Sequence, residues 1–450
     1  MIRLFCLLSA TLIAQGALGA VPAKEAAELQ GRLTPLGAER AGSADGRIPA
    51  WQGGLAADAL KHLGNGTAAD PYAGEKPLFV IDASNFRQYQ ANLSAGQQAM
   101  LQRYPGQYRI PVYPSHRSVG VADPQRDWAA HNAANTRLVN GGNGLENFQG
   151  ALAFPIPRDG LEAIWNHITR YRGGSLMTVS DSAAPQAGGG FVITTTEQRF
   201  TMADQVTDYQ PGKADNMLFY YSHRITAPSR QVGEVVLVHE TLDQVKQPRL
   251  SWVYSAGQRR VRRSPDNAYD AAGPTTAGLR TADSRDMYNG APDRYDWKLV
   301  GKKELYIPYN SYRLASPELK YADFLKSGYV DPAPVRYELH RVWEVEATLK
   351  PGARHIYSKR RFYLDEDSWT IVENDLYDSR GELWRVGENH TFYQGTPQVT
   401  LSAMQVFYDL QAGRYIASNM TNEQARGYDF SYRANSSDYS PGALRGLGIR

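Results

Sequence analysis

The chain has 450 residues, with 49 lysines and arginines against 46 aspartates and glutamates and a formal net charge of +3. So even a balance gives no general electrostatic case for nucleic acid. The only cysteine, Cys6, sits in an N-terminal apolar run. Once that run is cleaved the chain has no disulfide, thiolate metal site, cysteine nucleophile or cysteine-linked lipid anchor.

Arg3, the run Leu4 to Leu18 and the small residues Ala17-Leu18-Gly19-Ala20 read as a secretory signal peptide, residues 1–20, with cleavage expected after Ala20. The run is too short to span a bilayer, and no later segment reads as transmembrane. Residues 21–75, rich in Gly, Ala and Pro, read as an irregular N-terminal arm. Residues 76–450 read as a single β-rich domain with helical insertions.

Ser84 is expected to cap a short helix through Tyr89, and Ser94 a second from Ala95 to Tyr104 that Pro105 stops. A third begins at Asp159, with Leu161, Ile164, Trp165 and Ile168 at the spacing of one buried face. From about Leu176 to Tyr415 the chain reads as strands punctuated by turn residues. Val335 to Leu349 alternates most clearly, placing Leu339, Trp343 and Val345 on a buried face and Glu338, His340 and Glu344 on a wet one. Ile356 to Leu364, Trp369 to Tyr377 and Leu383 to Tyr393 continue an antiparallel meander. Asp365-Glu366-Asp367 is expected to be a solvated turn between two of these strands.

Motifs that carry chemistry are sparse. The nine histidines show no metal-ligand spacing, and there is no G-x-S-x-G elbow and no phosphate loop. We therefore expect no enzyme, no metal and no cofactor. Two basic clusters, Arg259-Arg260-Val261-Arg262-Arg263 and Lys359-Arg360-Arg361, suit either structural ion pairs with Glu344, Glu346 and Glu373 or an anionic headgroup or partner. Tyr220, Trp252, Tyr254, Trp343 and Trp384 are candidates to line an apolar cavity, with core packing as the competing role.

The wording of several segments resembles a secreted bacterial domain-of-unknown-function family, many of whose members are described as outer membrane lipoprotein-sorting proteins. The resemblance rests on Leu33-Thr34-Pro35-Leu36-Gly37, Trp252-Val253-Tyr254-Ser255-Ala256-Gly257, Asp293-Arg294-Tyr295-Asp296-Trp297, Tyr306-Ile307-Pro308-Tyr309-Asn310, Tyr357 to Trp369 and Tyr377 to Val386, and it covers nearly the whole mature chain. It implies a fold similar to the LolA/LolB lipoprotein carriers, a large curved antiparallel sheet forming a half-barrel with a few packing helices.

It also implies a periplasmic location and partnership with a resistance-nodulation-division transporter and an outer-membrane component. The function expected from this is a periplasmic carrier or chaperone for a hydrophobic ligand, a lipid or an acylated cargo, accessory to an envelope export system. The rival is a non-carrier accessory or sensor subunit that docks by its surface. The long N-terminal arm and the segment Pro265 to Asp293 have no counterpart in a minimal carrier domain, and these extra segments could fill the cavity.

Overall fold

The computed structural model describes residues 20–213, 216–264, 269–273 and 275–449. The expected signal segment lies outside these apart from Ala20. The chain then makes one helical turn, α1 (Ala23–Ala26), and from residue 31 to residue 78 forms neither helix nor strand. This stretch is nonetheless packed. Leu36, Ile48 and Leu60 are buried, and the buried Trp369 indole donates to the Leu36 carbonyl at 2.7 Å. Irregular backbone can lie on a core only where its polar groups find such partners.

The expected helix from Ser84 is instead two 3₁₀ turns, Phe86–Gln88 and Gln90–Asn92. Asp82, not Ser84, organises the entry, accepting from both the Ser84 backbone and its hydroxyl. Helix α2 (Ala95–Arg103) starts as expected, with a reciprocal box. The Gln97 N–H donates to Ser94 Oγ at 3.0 Å, and the Ser94 N–H to Gln97 Oε1 at 3.1 Å.

Helix α3 (Asp123–Asn135) is polar along its length and carries no apolar stripe that would announce it. Helix α4 (Gly160–Thr169) is capped by Asp159, which accepts from the Glu162 N–H at 2.8 Å, and it buries Ile164, Trp165 and Ile168. Two short helices complete the set, α5 (Tyr321–Phe324) and α6 (Ala443–Ile449). None of the described helices is long and apolar enough to cross a membrane.

The strands are β1 (Phe79–Ile81), β2 (Ile110–Tyr113), β3 (Arg137–Val139), β4 (Gly144–Glu146), β5 (Ser175–Ala183), β6 (Thr194–Met202), β7 (Met217–Ala227), β8 (Val235–Thr241), β9 (Leu250–Ser255), β10 (Arg260–Arg263), β11 (Tyr295–Pro308), β12 (Tyr337–Leu349), β13 (Lys359–Asp365), β14 (Ile371–Tyr377), β15 (Leu383–Gln394), β16 (Val399–Asp409), β17 (Arg414–Met420) and β18 (Tyr428–Asp429). Apart from the β3–β4 hairpin, they form one 16-stranded sheet in the order β1-β2-β12-β13-β14-β15-β16-β17-β5-β6-β7-β8-β9-β10, with β11 also on β12 and β18 on β5.

The one parallel contact is between β2 and β12. This is the expected curved antiparallel half-barrel: the sheet does not close into a barrel, and among the described residues β10 ends the strand order. The meander from β12 to β15 matches the expected strands. Joining it to the hairpins β5 to β10 through β17 is a non-local pairing of Ala417 with Ala183 and Met420 with Asp181.

Two expectations about the meander are corrected. β12 is not wet on one side: Glu338, His340 and Glu344 are each no more than 1% exposed. Segments 114–118 and 309–312 close over Glu338, which accepts from the His116 N–H and from Asn310, while Tyr309 stacks on His340 with centroids 3.9 Å apart. Nor is Asp365-Glu366-Asp367 a solvated turn, for all three are buried.

Segment 114–118 and strands β11 and β12 bring cations to Glu366 and Asp367. Arg117 donates to both Asp367 oxygens, at 2.9 and 2.5 Å, and to the Glu39 carbonyl. Lys302 reaches Glu366 at 2.9 Å and Arg341 reaches it at 3.2 Å. Alternation reports charge as though it meant exposure, and here Glu366 and Asp367 are paired with cations inside the protein while Asp365 accepts from Ser368.

Removing one partner of a buried ion pair leaves the other uncompensated, at a cost of about 3–5 kcal/mol. Arg117→Met should therefore destabilise the protein by about that amount in urea unfolding at neutral pH, whereas the same change at the exposed Arg230 should stay within about 0.5 kcal/mol. Equal stability of the two variants would show that the arm is not held by this network.

Candidate ligand cavity

One face of the sheet, between β5 and β8 and across β16 and β17, is left uncovered by the helices and encloses a cavity of about 260 Å³. Its floor follows from the pairing register. Leu176, Phe200, Tyr221 and Val238 are successive cross-strand partners on β5, β6, β7 and β8. The next row, in the same order, is Thr178, Gln198, His223 and Val236. Side chains in a strand alternate in face, so these two rows, two residues apart, share one face. Phe219 adds to the apolar row, its ring centroid 5.1 Å from that of Phe200, and Leu401 and Ile416 complete the apolar lining.

Of the two segments expected to fill the cavity, the second roofs it with its described residues 275–286. Thr275, Arg280, Ala282, Arg285 and Asp286 line the wall opposite the sheet. The roof is pinned at two aspartates. Asp286 pairs with Arg170 at 2.6 Å and Arg172 at 2.9 Å, both just past α4. Asp283 pairs with Arg360 of β13 at 2.5 Å and with His355 at 3.1 Å. Although burial alone would raise both carboxyls, these cations hold them below the usual carboxylate range.

The cavity wall also carries five arginines and three carboxylates. Arg249 pairs with Glu240 at 2.5 Å. Asp181 is occupied by Tyr321, Gln424 and Thr195, each at 2.6 Å. Arg285 is different, because its partners are neutral. It donates to Gln198 Oε1 at 2.7 Å and to the Tyr221 hydroxyl, lies 3.6 Å over the Tyr221 ring, and approaches His223 Nδ1 at 3.5 Å. Burial, with the nearby Arg285 and Arg280, pushes the His223 imidazole down to about 3, so it is uncharged at neutral pH.

Arg280 has no hydrogen-bond or ion-pair partner among the described residues, and its Nε–H is buried without an acceptor. Burial and the neighbouring Arg285 lower it to about 10, which still leaves it charged at neutral pH.

The aromatic residues nominated from the sequence do not line this cavity. Tyr220, Trp252 and Tyr254 lie on the opposite face of the same strands, in a separate core with Val235, Leu237, Tyr439 and Leu444 that α6 covers. Tyr220 stacks on Tyr439 at 5.3 Å, and His239 meets the Trp252 ring at 4.9 Å. The neighbouring Tyr221 is the one that faces the cavity, since a shift of one residue exchanges faces. Trp343 stacks on Trp369 at 6.1 Å beneath the Lys302 ammonium. Trp384 donates to Asp409 at 3.0 Å and packs against Tyr357.

The two basic clusters separate. Arg360 is fully buried on Asp283, Arg361 pairs with Glu344 at 3.2 Å and Glu346 at 2.5 Å, and Lys359 sits 4.1 Å over the Tyr377 ring. Glu373, the third carboxylate expected to pair with them, instead accepts from Gln97. Arg259, Arg260, Arg262 and Arg263 are exposed on the β9–β10 hairpin, and among the described residues none has a carboxylate partner. Arg263 rests 5.2 Å over the Trp252 ring.

Arg280 and Arg285 carry no motif in the sequence, and with Asp283 and Asp286 beside them in the chain nothing local singles them out. Elsewhere, His340, Asp365 and Asp367 bring donor atoms within 4.8 Å of one another. Both Asp367 oxygens already face Arg117, and Asp365 Oδ2 accepts from Ser368. His340 in turn pairs with Glu338 at 3.1 Å.

Comparison with known proteins places the chain. Residues 80–445 match the family described as "Protein of unknown function (DUF1329)". The uncharacterized protein PA3922 of Pseudomonas aeruginosa is 56% identical over 443 residues, covering 98% of this chain and 97% of that protein. Among solved structures, an outer membrane lipoprotein-sorting protein domain from Vibrio parahaemolyticus is similar, with TM-score 0.45 and 11% identity over 64% of this chain and 98% of that one. A DUF1329 family protein from Desulfovibrio piger has TM-score 0.40 and 14% identity over 60% and 91%. The LolA superfamily protein NE2245 from Nitrosomonas europaea has TM-score 0.36 and 10% identity over 61% and 92%. The chain is a member of the DUF1329 family.

Proposed function

We propose that this protein is a periplasmic carrier or chaperone that holds a hydrophobic molecule, a lipid or the acyl part of a cargo, in the roofed cavity on the inner face of its sheet. The observation that carries the reading is the apolar row Leu176, Phe200 and Val238 with Phe219, which faces an open volume instead of packed side chains. Burying an apolar chain there gains about 25 cal/mol per Å² removed from water and needs no catalytic group. The signal-like N-terminus supports export, and the resemblance to sorting proteins supports service to an envelope export system, with a resistance-nodulation-division transporter and an outer-membrane component as its partners.

Organic extraction of protein purified natively from the periplasm, followed by mass spectrometry, should recover one apolar molecule per chain. Val238→Trp, which fills the floor, should abolish uptake of an apolar fluorescent probe while the urea midpoint stays within the range of ordinary core changes. An empty protein that also refuses the probe overturns the carrier reading.

A second reading, a subunit that docks by its surface, is favoured by one feature, the exposed arginines of the β9–β10 hairpin. A cation near an anionic membrane surface contributes about 1 kcal/mol. Arg260→Glu with Arg262→Glu should therefore weaken binding to vesicles containing phosphatidylglycerol by about tenfold or more and leave binding to neutral vesicles unchanged. Sedimentation that is the same for both proteins removes the hairpin from any membrane contact.

A further inference from the structure

Resting on the carrier reading, we propose that the cavity's ligand is an amphiphile with an anionic headgroup, a carboxylate or a phosphate, received by Arg280 and Arg285 while its apolar chain lies along Leu176, Phe200 and Val238. Three independent observations meet at this point.

The first is charge. Of the five cavity arginines, Arg170 and Arg172 share Asp286 and Arg249 holds Glu240. The third carboxylate, Asp181, is fully engaged by Tyr321, Gln424 and Thr195. Neither Arg280 nor Arg285 forms an ion pair among the described residues, and the one acid acting on Arg280, Asp286, is already shared by Arg170 and Arg172. Enclosed guanidinium groups are strongly disfavoured unless paired, so a cavity holding two of them favours an anion as its occupant.

The second is hydrogen bonding. Arg285 is set in place by neutral acceptors, Gln198 and Tyr221, which fix its plane without cancelling its charge. Arg280 contributes nothing to holding the roof, and its buried Nε–H has no acceptor. A structural pin would show the reverse pattern, as Arg170 and Arg172 do on Asp286.

The third is register. The polar row Thr178, Gln198 and His223 lies two residues from the apolar row Leu176, Phe200 and Tyr221 on the same strands, and Arg285 spans the boundary by contacting Gln198, Tyr221 and His223. Head and tail positions are therefore adjacent on one face. With His223 uncharged at neutral pH, the recognising charge comes from the arginines, whose fork of donors fits a carboxylate or phosphate.

The test uses the mature full-length protein stripped of lipid, titrated calorimetrically with dodecanoate, dodecyl phosphate and dodecanol, which share one chain and differ in the head. At least one of the two anions should bind about tenfold tighter than the alcohol, as expected of hydrogen bonds to charged groups. Which of the two is preferred tells a fatty-acid head from a phosphate head. Arg280→Gln, at a residue with no partner to lose, should remove most of that preference and leave dodecanol binding unchanged, and Arg285→Gln should do the same if it folds.

If dodecanol binds the native protein as tightly as both anions, or if Arg280→Gln weakens all three alike, the headgroup assignment is wrong while the carrier reading stands. If none of the three binds, both fall together.

Discussion

Two aspartates set the height of the roof. Asp283 and Asp286 stand three residues apart in an irregular segment and reach in different directions, one to Arg360 on β13 and the other to Arg170 and Arg172 at the end of α4. Each buried charge costs several kcal/mol to take from water, so such a segment keeps its place only while every one of these partners is present. The cavity follows from this arrangement. Both anchors lie toward the β13 and α4 side, and between them Arg285 reaches down to Gln198 and Tyr221 on β6 and β7.

The other half of the sheet solves a different problem with similar means. Strands β12 to β15 are covered on both faces, yet they carry Glu373, Asp375 and Glu388 inward. Among the described residues none of these three pairs with a lysine or arginine, and hydroxyls and amides take the cation's place. Glu388 accepts from Tyr108 at 2.5 Å and Tyr337 at 2.9 Å, and Asp375 accepts from Tyr363 at 3.0 Å and from the Gly96 N–H at 2.9 Å. Burial raises Glu388 to about 7 and Asp375 to about 6, so near neutral pH these carboxyls exchange between neutral and charged forms. Residue 96 has to be glycine for this contact, since a Cβ there would lie 2.5 Å from the Asp375 oxygen and from Val386.

Much of the fold is legible in the sequence because it rests on local rules. The box at Ser94 and Gln97, the cap at Asp159 and the alternation of β12 each report a short-range preference that the tertiary structure respects. Helix α3 is not legible in the sequence, because a polar helix leaves no periodic apolar trace. The cavity was harder to see. Tyr220 and Tyr221 are equal by composition, and only the register of β7 against β6 and β8 says which one points inward. Arg280 and Arg285 belong to an irregular segment, where neither period nor propensity indicates what a side chain will meet. The basic cluster of β13 and that of β10 read alike, yet one is buried on acids and the other stands in solvent, because β13 lies within the sheet and β10 at its rim.

That rim has a bearing on how the protein lives among its own copies. An open sheet ends in unpaired N–H and C=O groups that can template another strand, and wide half-barrels are exposed to this form of self-association. At the β10 edge, a second copy approaching in register would have to bring its own Arg260, Arg262 and Arg263 against the same residues of the first. Like charges directly opposed across a strand pair are destabilising. The arginines therefore keep an edge that is sticky by geometry from polymerising, and a chain with this much non-local pairing benefits from that protection most while it is still folding.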